Sequence, residues 1–150
     1  MVSSELHVDI SRPKRDVWAF MMRVENWLLW QSGISNVTTT DGVREGSQVK
    51  LTSVVMGHEF ELKAVITHND GRSTFAAVSN RGPITFETWY TLTDIEGGTR
   101  VNFTNHINAH GVFRLAEGVL QSVSEAQYEA DLRRLKTILE SALAPRLPKV

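Results

Sequence analysis

Residues 12–20 read RPKRDVWAF, and residues 25–30 read ENWLLW. Just before them, the side chains from Leu6 to Ile10 alternate between apolar and polar, which is the period of a half-buried strand. Pro13 suits the first turn of a helix, where its missing N–H is no loss. We therefore predict a strand that leads directly into a short helix, with a break near residues 25–26 before a second, tryptophan-rich segment.

The middle of the chain is typical of an antiparallel sheet. Inward-facing side chains recur at every second position in five runs, at residues 49–55, 60–66, 75–79, 86–92 and 101–107. Turn sequences separate the later runs: NDG at 69–71, NRGP at 80–83 and EGG at 96–98. Strands that follow one another through tight turns run antiparallel, so we predict a meander of consecutive strands.

The last third of the chain predicts one long helix. After Gly111 the apolar spacing becomes helical, and we expect about thirty helical residues that end before Pro145. A single long helix has no helical partner, so it packs across the sheet and gives an α+β fold. The length of 150 residues fits one domain, which we assign to residues 1–150.

Composition excludes several classes of function. The formal net charge of −1 produces no field that attracts nucleic acid, and we expect no such partner. The absence of cysteine excludes disulfides and thiolate ligands. The sequence begins without a basic segment followed by an apolar run, and no apolar run is long enough to span a bilayer. We therefore expect a cytoplasmic protein without membrane insertion.

We predict neither a metal nor a cofactor. His106 and His110 fall on the same side of a predicted strand, but four residues place them about 13 Å apart. One metal ion needs its ligands at about 2 Å, so this pair cannot share one. The sequence also lacks a glycine-rich phosphate loop, a nucleophile elbow and a His-Glu-x-x-His motif.

The order of these segments resembles the SRPBCC superfamily, which includes START-like, polyketide cyclase/dehydrase and lipid-transport proteins. The resemblance rests on residues 12–30, on GGTRV at residues 97–101 and on EADLRRLK at residues 129–136. It implies a helix-grip fold, in which a curved antiparallel sheet wraps around the long C-terminal helix and two short N-terminal helices close one end. It also implies a deep, largely apolar cavity between the sheet and that helix.

Two positions depart from the superfamily pattern. Members commonly carry Asp-Pro before the Glu-Asn pair and a proline between the tryptophans, whereas this chain has Arg23-Val24 and Leu28. Proline restricts its own backbone and that of the preceding residue. Without these prolines, the break between the two small helices is less strongly forced.

Residue types on the predicted inward faces also favour a cavity. A curved sheet leaves space beneath a helix unless large side chains fill it, and inward polar groups need a partner, water or ligand. The predicted ligand-binding residues are Trp30, Ser53, Phe60, Leu62, Ala77, Ser79, Phe86, Thr88, Tyr90, Phe103, Asn105, Ser124 and Tyr128.

Four residues are weaker candidates for catalysis. His58 begins a strand on its apolar face and is a candidate general base. Arg81 follows an inward position and is a candidate anchor for a carboxylate or phenolate. Tyr90 is a candidate donor to a buried carbonyl, and Asp131 lies near the edge of the helix seam. Each has an ordinary structural alternative, such as an exposed turn residue or a core tyrosine.

Three functions remain open from the sequence. The first is a carrier or sensor of one hydrophobic small molecule, such as a lipid, isoprenoid, sterol or aromatic compound. The second is a polyketide cyclase/dehydratase-type enzyme that acts on a bound poly-ketone chain. The third is an interaction module with a vestigial cavity. We expect a monomer or a homodimer. Trp89 is predicted to face outward, which indicates either an oligomer contact or an error in the predicted strand register.

Overall fold

The computed structural model describes residues 2–55 and 57–141. These residues form seven strands: β1 (Val2–Ile10), β2 (Ile34–Thr39), β3 (Gln48–Val55), β4 (His58–Asn69), β5 (Thr74–Ser79), β6 (Ile84–Ile95) and β7 (Gly98–Ala109). The helices are α1 (Lys14–Met21), α2 (Val24–Trp30) and α3 (Glu117–Glu140), with a 3₁₀ helix at Gly111–Ala116. Neighbouring strands are antiparallel in the order β1-β7-β6-β5-β4-β3-β2. The predicted helix-grip fold, a curved sheet around the C-terminal helix, is confirmed.

The break between α1 and α2 lies upstream of the predicted position. It occurs around Arg23, whose backbone is extended. The Asn26 amide donates to the carbonyl of Phe20 at 3.0 Å, and the Trp27 indole donates to the carbonyl of Met21 at 2.6 Å. These side chains satisfy carbonyls that a helix end leaves unpaired. Local hydrogen bonds between the two helices therefore stabilise the break in the absence of the superfamily's prolines.

The C-terminal helix begins later than predicted. Because Gly111–Ala116 is a 3₁₀ helix, α3 contains 24 residues. Gly118, with the weak helix preference of glycine, lies at its start. The predicted end before Pro145 lies outside the described residues. None of the helices in the described ranges is both long and apolar enough to cross a membrane.

Side chains of α3 also reach the outer edge of β1. Gln121 Nε2 donates to the carbonyl of Ser3 at 2.9 Å, and Lys136 Nζ donates to the carbonyl of Asp9. In an antiparallel edge strand, carbonyls at alternate positions have no partner strand. The helix α3 is therefore hydrogen-bonded to this edge strand and also packs on the face of the sheet.

Trp89 lies on the outer face of the sheet, where contacts within the chain cover part of it. The His68 ring stacks on it with a centroid distance of 4.6 Å, and its indole donates to Glu87 at 2.6 Å. The outward-facing tryptophan therefore has two partners within the chain.

Asp70 organises the loop between β4 and β5. Its carboxylate accepts hydrogen bonds from the backbone N–H groups of Arg72, Ser73 and Thr74 and from the Ser73 hydroxyl. The backbone bonds from Ser73 and Thr74 are the main reason that the pKa of Asp70 lies well below its ordinary value of 3.8. The folded loop therefore favours the ionised carboxylate.

Replacing Asp70 with Ala is expected to lower the free energy of unfolding by about 1 kcal/mol at neutral pH, because the loop N–H groups lose their acceptor. The folded-state pKa is depressed, so this stabilisation is present above pH 3.8 and declines as the pH falls below it. Urea unfolding at pH 7 and in acid measures the difference in the free energy of unfolding between wild type and variant. Asp41→Ala, at an exposed position, serves as control. A difference in unfolding free energy that stays the same in acid would contradict the role given to the Asp70 carboxylate.

Candidate functional site

A cavity of about 160 Å³ lies between the inner face of the sheet and α3, with α2 closing one side. Of the predicted ligand-binding residues, the structure places the following on its wall: Trp30, Ser53, Phe60, Leu62, Ala77, Phe86, Thr88, Tyr90, Phe103, Asn105, Ser124 and Tyr128. Most of them lie on β3 to β7, where side chains alternate between the two faces of the sheet and every second one points inward. The volume is similar to that of engineered apolar cavities that bind a single aromatic ring.

Aromatic rings form a continuous wall of this cavity. The ring-centroid distances are 6.0 Å for Trp27–Phe75, 6.5 Å for Phe75–Tyr90, 5.2 Å for Tyr90–Phe103, 4.8 Å for Phe103–Tyr128 and 5.9 Å for Trp30–Tyr90. Edge-to-face and tilted arrangements at these distances are favourable for aromatic pairs. The wall is thus held rigidly by mutual contacts, and it offers flat apolar surfaces to a guest.

Three polar side chains are linked in one line across the cavity wall. The Thr88 hydroxyl donates to Oδ1 of Asn105, and Nδ2 of Asn105 donates to the hydroxyl oxygen of Tyr128 at 2.8 Å. The strands set this geometry, because Thr88 and Asn105 are directly opposed in the β6–β7 pairing. The inward amide of Asn105, which is only 3% exposed, is therefore satisfied without water.

Burial keeps both cavity phenols protonated. Desolvation raises the pKa of Tyr90 and the pKa of Tyr128 well above the ordinary value of 10.0, and the carboxylate of Asp131 adds to both shifts. A raised pKa means that each hydroxyl retains its proton at neutral pH. These groups therefore act as neutral hydrogen-bond donors or acceptors.

Asp131 lies on the cavity wall, but its hydrogen bonds are structural. Its Oδ1 accepts from the backbone N–H of Ser32 at 3.1 Å, from the Ser32 hydroxyl at 2.8 Å and from Arg134 at 3.1 Å. Arg134 also donates to the carbonyl of Trp30 at 3.0 Å. This arrangement ties the end of α2 and the following loop to α3, and it compensates a buried charge.

Gly33 and Gln127 line the cavity and are both partly exposed. Val123 lines the same region and is 45% exposed. A Cβ on Gly33 would lie 2.3 Å from Nε2 of Gln127, so a larger residue here would displace the end of that side chain. Gly33 was not predicted from the sequence, because loop residues carry no periodic signal.

The remaining predicted residues lie elsewhere. Ser79 is buried, but it is not among the residues that line the cavity, and its hydroxyl has no hydrogen-bond partner within the described ranges. His58 and Arg81 are exposed near strand ends, away from the cavity wall. Only Tyr90 and Asp131 of the four catalytic candidates are brought together here. In residues 2–55 and 57–141, no group of three His, Asp or Glu side chains is placed to hold a metal ion.

Fold and cavity together define a helix-grip domain with a largely apolar cavity. A family model described as polyketide cyclase/dehydrase and lipid transport matches residues 1–140. The chain belongs to this family, and the resemblance to the SRPBCC superfamily is confirmed. No curated protein matches the sequence.

Solved structures share the fold at low sequence identity. A START superfamily protein from Mycobacterium smegmatis aligns with a TM-score of 0.77 and 10% identity, covering 92% of this chain and 97% of its own. The Zhui aromatase/cyclase from a Streptomyces species aligns with a TM-score of 0.77 and 14% identity, covering 92% of this chain and 93% of its own. A protein from Thermus thermophilus aligns with a TM-score of 0.76 and 17% identity, covering 89% of this chain and 94% of its own. These likenesses establish the fold alone.

Proposed function

We propose that this protein binds one hydrophobic small molecule in the cavity and acts as its carrier or sensor. The observation that carries the proposal is the character of the wall, which joins aromatic and aliphatic side chains to a few neutral polar groups. Sites for small molecules commonly combine apolar walls with a few placed polar groups. Binding would be driven by burial of apolar surface at about 25 cal/mol per Å².

The state of the polar groups favours a carrier over an enzyme. General acid–base catalysis needs a group whose pKa lies near the working pH. Both phenols have pKa values raised far above that range, and among the described residues no histidine lines the cavity. Asp131 is engaged by Ser32 and Arg134. The lining is therefore better suited to holding a molecule than to moving its protons.

A polyketide cyclase/dehydratase-type enzyme is the second candidate. The observation in its favour is that Tyr90, Tyr128 and Asp131 face one region of the cavity and interact electrostatically. Two phenolic donors can polarise a carbonyl of a bound poly-ketone chain. The third hypothesis, an interaction module, is disfavoured because Phe86, Tyr90 and Phe103 border an open volume instead of filling it. The cytoplasmic location and the monomeric or homodimeric state stay predictions.

Native mass spectrometry of the protein purified from its own host tests the proposal. We expect a bound apolar compound, and we expect it to be recovered unchanged after incubation with fresh protein. Recovery of a chemically altered compound, or turnover of a poly-ketone substrate, would favour the enzyme instead.

A further inference from the structure

The hydrogen bonds of the cavity wall leave phenolic hydroxyls without acceptors. Asn105 accepts from Thr88 through Oδ1 and donates to the Tyr128 oxygen through Nδ2. Because the Tyr128 oxygen already accepts a hydrogen bond, its own proton points to another partner. No side chain or backbone group of the described residues accepts it.

Two further donors lie beside it. The Tyr90 hydroxyl makes no hydrogen bond to the described part of the chain, and Tyr90 contacts the same Phe103 ring as Tyr128. The indole N–H of Trp30, a cavity-wall residue that is 2% exposed, also has no partner there, but the nitrogen itself is buried beneath the cavity surface. The ring of Trp30 packs edge-to-face on Tyr90, with centroids 5.9 Å apart. The two phenolic side chains thus flank the Phe103 ring, and Trp30 packs on one of them.

Two acceptors of the same region are already engaged. Oδ1 of Asn105 accepts from Thr88, and Oδ1 of Asp131 accepts from Ser32 and Arg134. A buried donor without a partner costs free energy until a ligand or water supplies an acceptor. The carboxylate of Asp131 also disfavours a second negative charge in the low-dielectric cavity.

Building on the proposed function, we infer that the cavity selects a neutral guest with a hydrogen-bond-accepting oxygen, such as a ketone or quinone carbonyl, over a pure hydrocarbon or a carboxylate. Tyr128 is the donor whose oxygen is already engaged, by the Asn105 amide that is bonded to Thr88. Thr88 is a positioning residue, since it holds the amide of Asn105 in the orientation that leaves the Tyr128 proton free.

The test compares acetophenone, ethylbenzene and benzoate, which differ mainly in the polar group beside one ring. For the wild-type protein, titration followed by NMR is expected to give acetophenone an affinity about two- to tenfold above that of ethylbenzene. Benzoate is expected to bind more weakly than both. The carbonyl stretching frequency of bound acetophenone is expected to fall, because its oxygen accepts a hydrogen bond.

Two variants locate the donor. Tyr128→Phe is expected to remove the preference for acetophenone and most of the frequency shift while leaving ethylbenzene affinity within about twofold. Thr88→Val keeps nearly the same side-chain shape. It is expected to reduce the preference for acetophenone and the frequency shift, because a freed Asn105 amide can turn and accept the Tyr128 proton. Thr88→Val also keeps the test usable if Tyr128→Phe does not fold.

The outcomes separate the two proposals. If ethylbenzene and acetophenone bind equally to the wild type, or benzoate binds tightest, the selection for a neutral acceptor is wrong and the proposed function stands. If none of the probes binds, the proposed function fails and this inference fails with it. An acetophenone preference that both variants retain assigns the donor elsewhere and overturns the role of Tyr128.

Discussion

Replacing Ala77 with Trp is expected to abolish binding of ethylbenzene and acetophenone. Ala77 is 7% exposed and lies on the cavity wall at the centre of the sheet, paired with Ile66 on β4 and Thr88 on β6. An indole at this position projects into a void of about 160 Å³ and occupies much of the space a one-ring guest needs. We expect affinity to fall by at least about 100-fold, which corresponds to about 2.7 kcal/mol.

The matched control is Val65→Trp, which introduces the same side chain on the outer face of the neighbouring strand. Val65 is 38% exposed and does not line the cavity. NMR titration of both variants, together with circular dichroism to verify folding, measures the effect. If a folded Ala77→Trp protein binds the probes as tightly as Val65→Trp does, the cavity is not the binding site.

Replacing Trp30 with Ala is expected to lower the free energy of unfolding by about 3–5 kcal/mol, the range for deleting a large buried aromatic side chain. Trp30 is 2% exposed and packs edge-to-face on Tyr90. Its carbonyl accepts a hydrogen bond from Arg134, so the residue joins α2 both to the sheet and to α3. Losing the ring removes the contact through which α2 closes the cavity.

Urea denaturation with tryptophan-independent detection, such as circular dichroism, measures this loss. Trp89→Ala is the control, because that ring is only half-buried on the outer face. We expect the control to cost about 1 kcal/mol. Equal losses for the two variants would show that Trp30 does not have the anchoring role described above.

The fold is predictable from the sequence where periodicity is strong. Alternation along the chain assigns each strand its inner face, and that assignment is why Thr88, Tyr90 and Asn105 were expected to face inward together. The position of the break between α1 and α2 was not predictable, because no proline marks it. It depends on side-chain bonds from Asn26 and Trp27 to carbonyls of the preceding helix, and those contacts exist only in the folded state.

The candidate site is predictable only in part, for a related reason. Alternation determines which face a residue occupies but not how far the void extends along the strand. Ser79 therefore has the expected inward burial and yet lies beyond the cavity wall. His58 and Arg81 sit near strand ends, where the face assignment no longer determines what a side chain meets. The approach of Gly33 to Gln127 depends on the path of a loop, which no local pattern encodes.

An open sheet, unlike a closed barrel, has two unpaired borders, and unpaired borders can recruit strands from neighbouring molecules. On one border, the bonds from Gln121 and Lys136 to the carbonyls of β1 occupy acceptors that an incoming strand would use. On the other border, β2 is short and carries a bulge between Ile34 and Asn36, which interrupts a regular template. The helix α3, which covers the cavity, thus also protects the β1 border against edge-to-edge aggregation.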